Sequence, residues 1–151
     1  MIKDLPKIEN DLIKLLRAQP LAVLSTQEEG QPYASLVAFV SKDDLTRLYF
    51  ATLRSTRKFA NIMKDSRVAM LIDNRSNNPA DFQQATTVTA TGRTVEVAPE
   101  IRSGVLELYL AKHPYLKSFV KSPTCALCEV RISTYFVCTN FQNVVEVHMN
   151  K

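Results

Sequence analysis

The chain has 151 residues, 46% of them hydrophobic and 23% charged, with 3 Gly and no Trp, which excludes collagen-like, low-complexity and disordered classes and fits one globular domain over residues 1–151. Lys and Arg exceed Asp and Glu by 19 − 15 = 4 charges, a mild pull on anions; with 8% aromatic residues it is a poor footprint for nucleic acid. The longest apolar runs, residues 36–40 and 68–72, are five residues each, where a membrane helix needs about 20, so no membrane span is expected.

The amino terminus, Met1-Ile2-Lys3-Asp4-Leu5-Pro6, lacks the apolar segment of a secretory leader, and a cytoplasmic location is expected. Residues 7–17 carry Ile8, Leu12, Leu15 and Leu16 at the spacing of one helix face, and Gln19-Pro20 ends the pattern. Apolar, β-branched runs follow at 21–26, 33–40 and 45–52, separated by turn chemistry at 29–32 and 41–44. Two successive hairpins predict an antiparallel meander.

Residues 55–64 read as a short helix capped by Ser55 or Thr56, with Phe59, Ile62 and Met63 as its buried stripe. A fourth strand is expected at 68–72, a long polar loop at 73–84, and a fifth strand at 86–97. The inward register of that strand changes across Gly92, from Val88 and Ala90 to Val95 and Val97, as at a bulge. Residues 99–111 form a second amphipathic helix with Ile101, Val105 and Leu108 on one face, and His113-Pro114 stops it. After one more helical turn at 115–120, residues 125–139 make a long sixth strand, with Cys128, Val130, Ile132, Phe136 and Cys138 on one side.

About six strands joined by short turns, with a few flanking helices, predict a mainly β fold: a closed or nearly closed six-stranded antiparallel barrel. Closure also removes the exposed edges that such strands would present.

The chemistry concentrates at Thr52-Leu53-Arg54-Ser55-Thr56-Arg57-Lys58, three hydroxyls and three cations within seven positions, where a strand ends and a helix begins. Helix starts leave unpaired N–H groups and partial positive charge, which suits phosphate; Arg adds a bidentate fork. The same residues are also read as an ordinary cap beside solvated surface charge. No GxGxxG or Walker pattern occurs, so neither of those phosphate loops is present.

This segment, with Tyr49-Phe50 before it and Phe59-Ala60-Asn61-Ile62 after it, resembles the phosphate-binding stretch of the pyridoxamine 5′-phosphate oxidase-like family of FMN-binding split barrels. The order of Leu24-Ser25-Thr26, Pro32-Tyr33-Ala34-Ser35, Asp65-Ser66-Arg67-Val68 and Thr91-Gly92-Arg93 is similar too, so the likeness covers residues 21–139. The resemblance implies a Greek-key split barrel, a homodimer with FMN at the subunit interface, and flavin-dependent oxidoreductase chemistry on an unidentified small molecule.

By position, it implies that Thr56, Arg57 and Lys58 hold the FMN phosphate, with Thr52 and Ser55 near the phosphate or ribityl chain. Ser35, Leu36 and Val37 would run beside the isoalloxazine ring and offer backbone groups to its polar edge. Arg75 and Ser76 would close over the cofactor, and Gln84 would reach it from the fifth-strand side, in one version from the partner subunit. Thr87 stands where the oxidases proper carry Gln, and their carboxy-terminal Trp and Arg-His signature is missing, which counts against pyridoxine phosphate as substrate. A non-catalytic flavin carrier or sensor is the alternative of a different class.

Cys125 and Cys128 form a CxxC, but residues i and i+3 of a strand point to opposite faces, so they are read as small core residues and no metal is assigned. The thiols of a chain in a reducing compartment are expected to stay unpaired. His113 reads as a polar helix stop. Some relatives of this barrel bind haem instead of flavin, and His148, in a short strand-like tail after Val144-Val145-Glu146-Val147, is the residue on which a haem reading rests.

Overall fold

The computed structural model describes residues 5–149; Met1 to Asp4, the start of the stretch read for a leader, lie outside them. Helix α1 (Leu5–Ala18) buries Leu12, Leu15 and Leu16. Strands β1 (Leu21–Glu28) and β2 (Gln31–Ser41) pair antiparallel around a two-residue turn. Its residues Glu29 and Gly30 both hold positive φ, 51° and 80°, the turn geometry that matches the twist of the flanking strands. β3 (Arg47–Leu53) completes the meander, and α2 (Arg57–Lys64) crosses to β4 (Arg67–Asp73), which returns beside β1. That order, β3-β2-β1-β4, is a Greek key.

β5 (Thr86–Glu96) and β6 (Cys125–Thr139) follow, and β6 closes the barrel by pairing with β3 from Arg47↔Arg131 to Leu53↔Cys125. The molecule is therefore a closed six-stranded antiparallel barrel with flanking helices. The tail forms β7 (Asn143–His148), a seventh strand added to β6 outside the barrel.

The expected loop at 73–84 contains one helical turn, α3 (Asp81–Gln84). The Asp81 carboxylate organises it by accepting from the backbone N–H groups of Ser76 and Asn77 at 2.9 and 2.7 Å. A bulge does fall beside Gly92, but the extra residue belongs to β6: Thr91 faces Thr134 while Gly92 faces Ile132, leaving Ser133 over. β5 therefore keeps its alternation, burying Val88, Ala90 and Thr94, and leaves Val95 38% exposed. On β6 the register flips instead, so beyond the bulge Tyr135 and Val137 are buried while Phe136 and Cys138 leave the core.

Two cores result. Leu24, Phe39, Leu48, Phe50, Met70, Val130 and Ile132 fill the barrel. A second cluster of Tyr49, Ala51, Val105, Tyr109, Val120, Cys125 and Leu127 lies on the outer side of β3 and β6. It is covered by α4 (Pro99–Lys112) and α5 (Lys117–Lys121), which are joined through a 3-10 turn at Pro114–Leu116. Val105 and Tyr109 are the buried side of α4, whereas Ile101 and Leu108 are 47% and 37% exposed. The apolar stripe is rotated because Tyr109 donates its hydroxyl to the Ala38 carbonyl at 3.2 Å and His113 Nε2 lies 2.7 Å from the Phe39 carbonyl, pinning the helix end to β2. Burial pushes the His113 imidazole below its ordinary pKa.

Cys125 and Cys128 sit in different cores, on opposite faces of β6. Burial raises the Cys128 thiol from 9.0 to about 12. A folded pKa above the unfolded one gives a contribution that is full below pH 9 and is lost as pH rises towards 12. The stability gap between wild type and Cys128→Ala, measured by urea unfolding, is therefore expected to shrink by about 1.4 kcal/mol per pH unit over that window. A gap that does not change with pH would mean the thiol is solvated.

Candidate functional site

The junction between β3 and α2 is built by hydroxyls. Thr56 takes extended backbone angles (φ −83°, ψ 157°) and caps α2, its Oγ1 accepting from the Phe59 N–H at 3.3 Å and donating to the Leu53 carbonyl at 2.8 Å. Thr52 Oγ1 lies 3.0 Å from Thr56 Oγ1 and is buried. With the Phe59 N–H on the Thr56 hydroxyl and the Ala60 N–H on the Thr56 carbonyl at 3.1 Å, the Arg57 and Lys58 N–H groups are the ones the helix start leaves without an intrahelical partner.

The cations at this junction divide by role. Arg54 turns back to clamp Glu96 at the end of β5 with a two-pronged pair at 2.8 and 2.5 Å, and its guanidinium lies 5.6 Å from the centre of the Phe59 ring. It is a structural tie. Arg57 stands 3.7 Å from the Glu28 carboxylate, which Lys64 also binds; the Lys64 ammonium, with Arg57 as a lesser neighbour, lowers the Glu28 pKa. Among the described residues Lys58 has no ion-pair partner, and it lines a groove. Ser55 is exposed at the turn.

That groove has a volume of about 340 Å³. Its walls include Leu36, Val37, Ala51, Leu53 and Phe119, and its polar end holds Thr52, Thr56 and Lys58. Five of the residues expected at a flavin site, Leu36, Val37, Thr52, Thr56 and Lys58, thus meet in one concavity. Ser35 is placed next to it on β2, opposite Leu24; its Oγ is buried without a hydrogen-bond partner among the described residues. Tyr109, Leu116 and Phe119 were missed as lining residues. Their signal in the sequence is only an amphipathic helix, whose docking site cannot be read from its own periodicity.

Arg75, Ser76 and Gln84 do not join the groove within one chain. Arg75 pairs with Asp73 at 3.2 Å, Ser76 Oγ donates to Asp81 at 2.8 Å, and Gln84 ends α3, exposed. Arg75 borders a separate, apolar cavity of about 550 Å³ beside Leu71, Phe82 and Phe141, the last two rings packed edge to face with centroids 5.2 Å apart. His148 lies on β7, with Nδ1 3.1 Å from Thr134 Oγ1 and Nε2 3.2 Å from Glu146.

Barrel closure, the Greek key and the strand-to-helix junction together define a split β-barrel with an anion-competent helix start at the mouth of an apolar groove. The sequence profile of the pyridoxamine 5′-phosphate oxidase family matches residues 8–136, and the chain belongs to that family. Among solved structures, a haem-binding protein from Mycobacterium smegmatis is similar with a TM-score of 0.82 at 13% identity, over 93% of this chain and 57% of that one. This chain thus spans little more than half of that protein. General Stress Protein 26 from Bacillus anthracis matches with a TM-score of 0.72 at 16% identity, over 94% and 98%. A FAD-binding protein from Mesorhizobium loti matches with a TM-score of 0.67 at 16% identity, over 83% and 88%. Likeness at such identities shows a shared fold, here with one protein described as haem-binding and another described as FAD-binding. Comparison with curated proteins finds no match. Among the described residues no helix is long and apolar enough to cross a membrane.

Proposed function

We propose that this chain binds FMN in the groove between β2, β3 and α5, as a flavin-dependent oxidoreductase acting on a small molecule. The observation that carries the reading is Lys58, a cation without an ion-pair partner among the described residues, next to the N–H groups of a helix start and at the polar end of an apolar groove. Phosphate fits the polar end, since helix N–H groups, the Ser55 hydroxyl and the Lys58 ammonium are all donors. Apolar walls of Leu36, Leu53 and Phe119 suit a planar ring.

When bound, the flavin supplies hydride and electron transfer. The chain's own share is to anchor the phosphate with Thr56, Arg57 and Lys58, to align the ring edge against the backbone of Ser35, Leu36 and Val37, and to keep water from that edge with the α4 and α5 cover. A homodimer belongs to the same reading. Leu36, Leu71 and Val144, 66%, 37% and 59% exposed, share the outer sheet face with Thr87 and Thr89, and an apolar patch of this kind marks an interface. Such an interface is the means by which Arg75, Ser76 and Gln84 of one subunit would reach the groove of the other.

Haem is the competing ligand. It is disfavoured because both ring nitrogens of His148 already have protein partners, Thr134 and Glu146. An absorption spectrum after incubation with FMN and desalting tests the choice. Retained flavin absorbance supports the proposal, and turnover with a reduced nicotinamide donor separates an enzyme from a carrier. Loss of FMN together with a Soret band that disappears in His148→Ala would replace flavin by haem.

A further inference from the structure

A third concavity, of about 950 Å³, lies on the outer face of β1, β4, β5 and β6, away from the groove assigned to FMN. Its walls carry Arg67, Arg93 and Arg131 together with Ser25, Thr91 and Ser133. The three arginines are in register: Arg67 faces Arg93 across β4 and β5, and Arg93 faces Arg131 across β5 and β6. Directly opposed like charges work against a sheet, and neighbouring strands are about 4.8 Å apart, so three guanidinium stems rise from within about 10 Å.

The nearby carboxylates neutralise only part of this row. Asp65 is held by Arg67, with Nη2 at 2.6 Å, and that guanidinium lowers the Asp65 pKa far below its usual value. Glu129 is shared between Arg131, with Nε at 2.8 Å, and Arg47, the next arginine along the same row, with Nε at 3.4 Å. Among the described residues Arg93 has only a hydroxyl, Ser66 Oγ at 3.3 Å from Nη1. Among the described residues no acidic side chain lines the cavity. The bulge at Ser133 turns its hydroxyl to the Thr91 carbonyl at 3.0 Å, which brings two hydroxyl oxygens, 3.3 Å apart, beside the row.

From this arrangement we propose that the Arg67–Arg93–Arg131 row is a binding site for a small ligand bearing linked phosphate groups, such as a nucleoside diphosphate. Adjacent guanidinium forks match adjacent phosphates, each able to take two parallel hydrogen bonds. A single phosphate satisfies one fork and leaves the repulsion between the others. The row lies four residues along β4 from Leu71, about 13 Å, so a subunit interface centred on the outer apolar patch leaves it at the rim. The site is independent of the flavin reading.

Calorimetric titration at fixed ionic strength with inorganic pyrophosphate and with orthophosphate tests it. In the Arg57→Ala/Lys58→Ala background, which removes the groove's own phosphate anchor, pyrophosphate is expected still to bind, and adding Arg93→Gln weakens it at least about tenfold. Without ligand Arg93→Gln should melt at or above the wild-type temperature, because it removes a charge opposed by two like neighbours; a lower melting temperature would make Arg93 a structural residue. In the Arg57→Ala/Lys58→Ala background, orthophosphate binding as tight as pyrophosphate, unchanged affinity on adding Arg93→Gln, or no pyrophosphate binding at millimolar concentration would each overturn the proposal.

Discussion

Arg57→Ala/Lys58→Ala will weaken FMN binding at least about tenfold, and Lys58→Ala alone will account for most of the loss. A charge-assisted hydrogen bond contributes about 1.5–3 kcal/mol, and about 1.4 kcal/mol is tenfold in affinity. The two cations are unequal before any ligand arrives. Arg57 is drawn towards Glu28 at 3.7 Å and must share that attraction with a phosphate, whereas Lys58 lines the groove with no competing carboxylate among the described residues. Raising the salt concentration should weaken wild-type binding more than binding by the double variant, since part of the attraction is screened. Fluorescence quenching of FMN on titration gives the dissociation constants. Equal affinity for wild type and the double variant would remove this junction from the phosphate site and, with it, the groove from the flavin reading.

The contrast between Arg54 and Lys58 shows where the sequence was legible and where it was not. A run of hydroxyls and cations at a strand-to-helix boundary is a local pattern, and the boundary, the cap at Thr56 and the meander before it follow from local chemistry. Which cation faces a ligand depends on what else lies nearby. Glu96 is 42 residues from Arg54, and no spacing along the chain announces that pair. The bulge is similar: Gly92 marked its position, but its extra residue sits on β6, so the inward residues of the far half of that strand, Tyr135 and Val137, were assigned to the wrong face. A one-residue slip reverses every side chain beyond it. For α4, the stripe through Ile101 and Leu108 satisfied helical periodicity, yet Tyr109 and His113 find carbonyl acceptors on β2 and turn the helix.

The arginine row was invisible for the same reason. Arg67, Arg93 and Arg131 look like three isolated surface charges in the sequence, and only the pairing register sets them side by side. Exposed arginines are ordinary; arginines directly opposed across adjacent strands are a feature of the assembled sheet.

Gly92→Ala will lower the melting temperature by about 4–12 °C, while Gly104→Ala will raise it. At Gly92 an added Cβ would sit 2.1 Å from the Arg131 carbonyl oxygen and 2.9 Å from its carbon, far inside contact distance. The obstacle is backbone of the neighbouring strand, so no rotamer change relieves it. β5 and β6 must separate beside the bulge, stretching the ladder that joins the two halves of the barrel. Overpacking of this kind costs about 2–3 kcal/mol, and a chain of this size loses about 2–4 °C per kcal/mol. Gly104, on the exposed side of α4, has nothing within 4 Å of the position an added Cβ would take. Alanine there restricts the unfolded chain and favours the helix by about 0.5–1 kcal/mol. Thermal unfolding of both variants followed by circular dichroism separates strand pinching from a general intolerance of added methyl groups. If Gly92→Ala melts with wild type, β5 and β6 do not approach as closely at the bulge as this register requires, and the placement of Arg93 beside Arg131 falls with it.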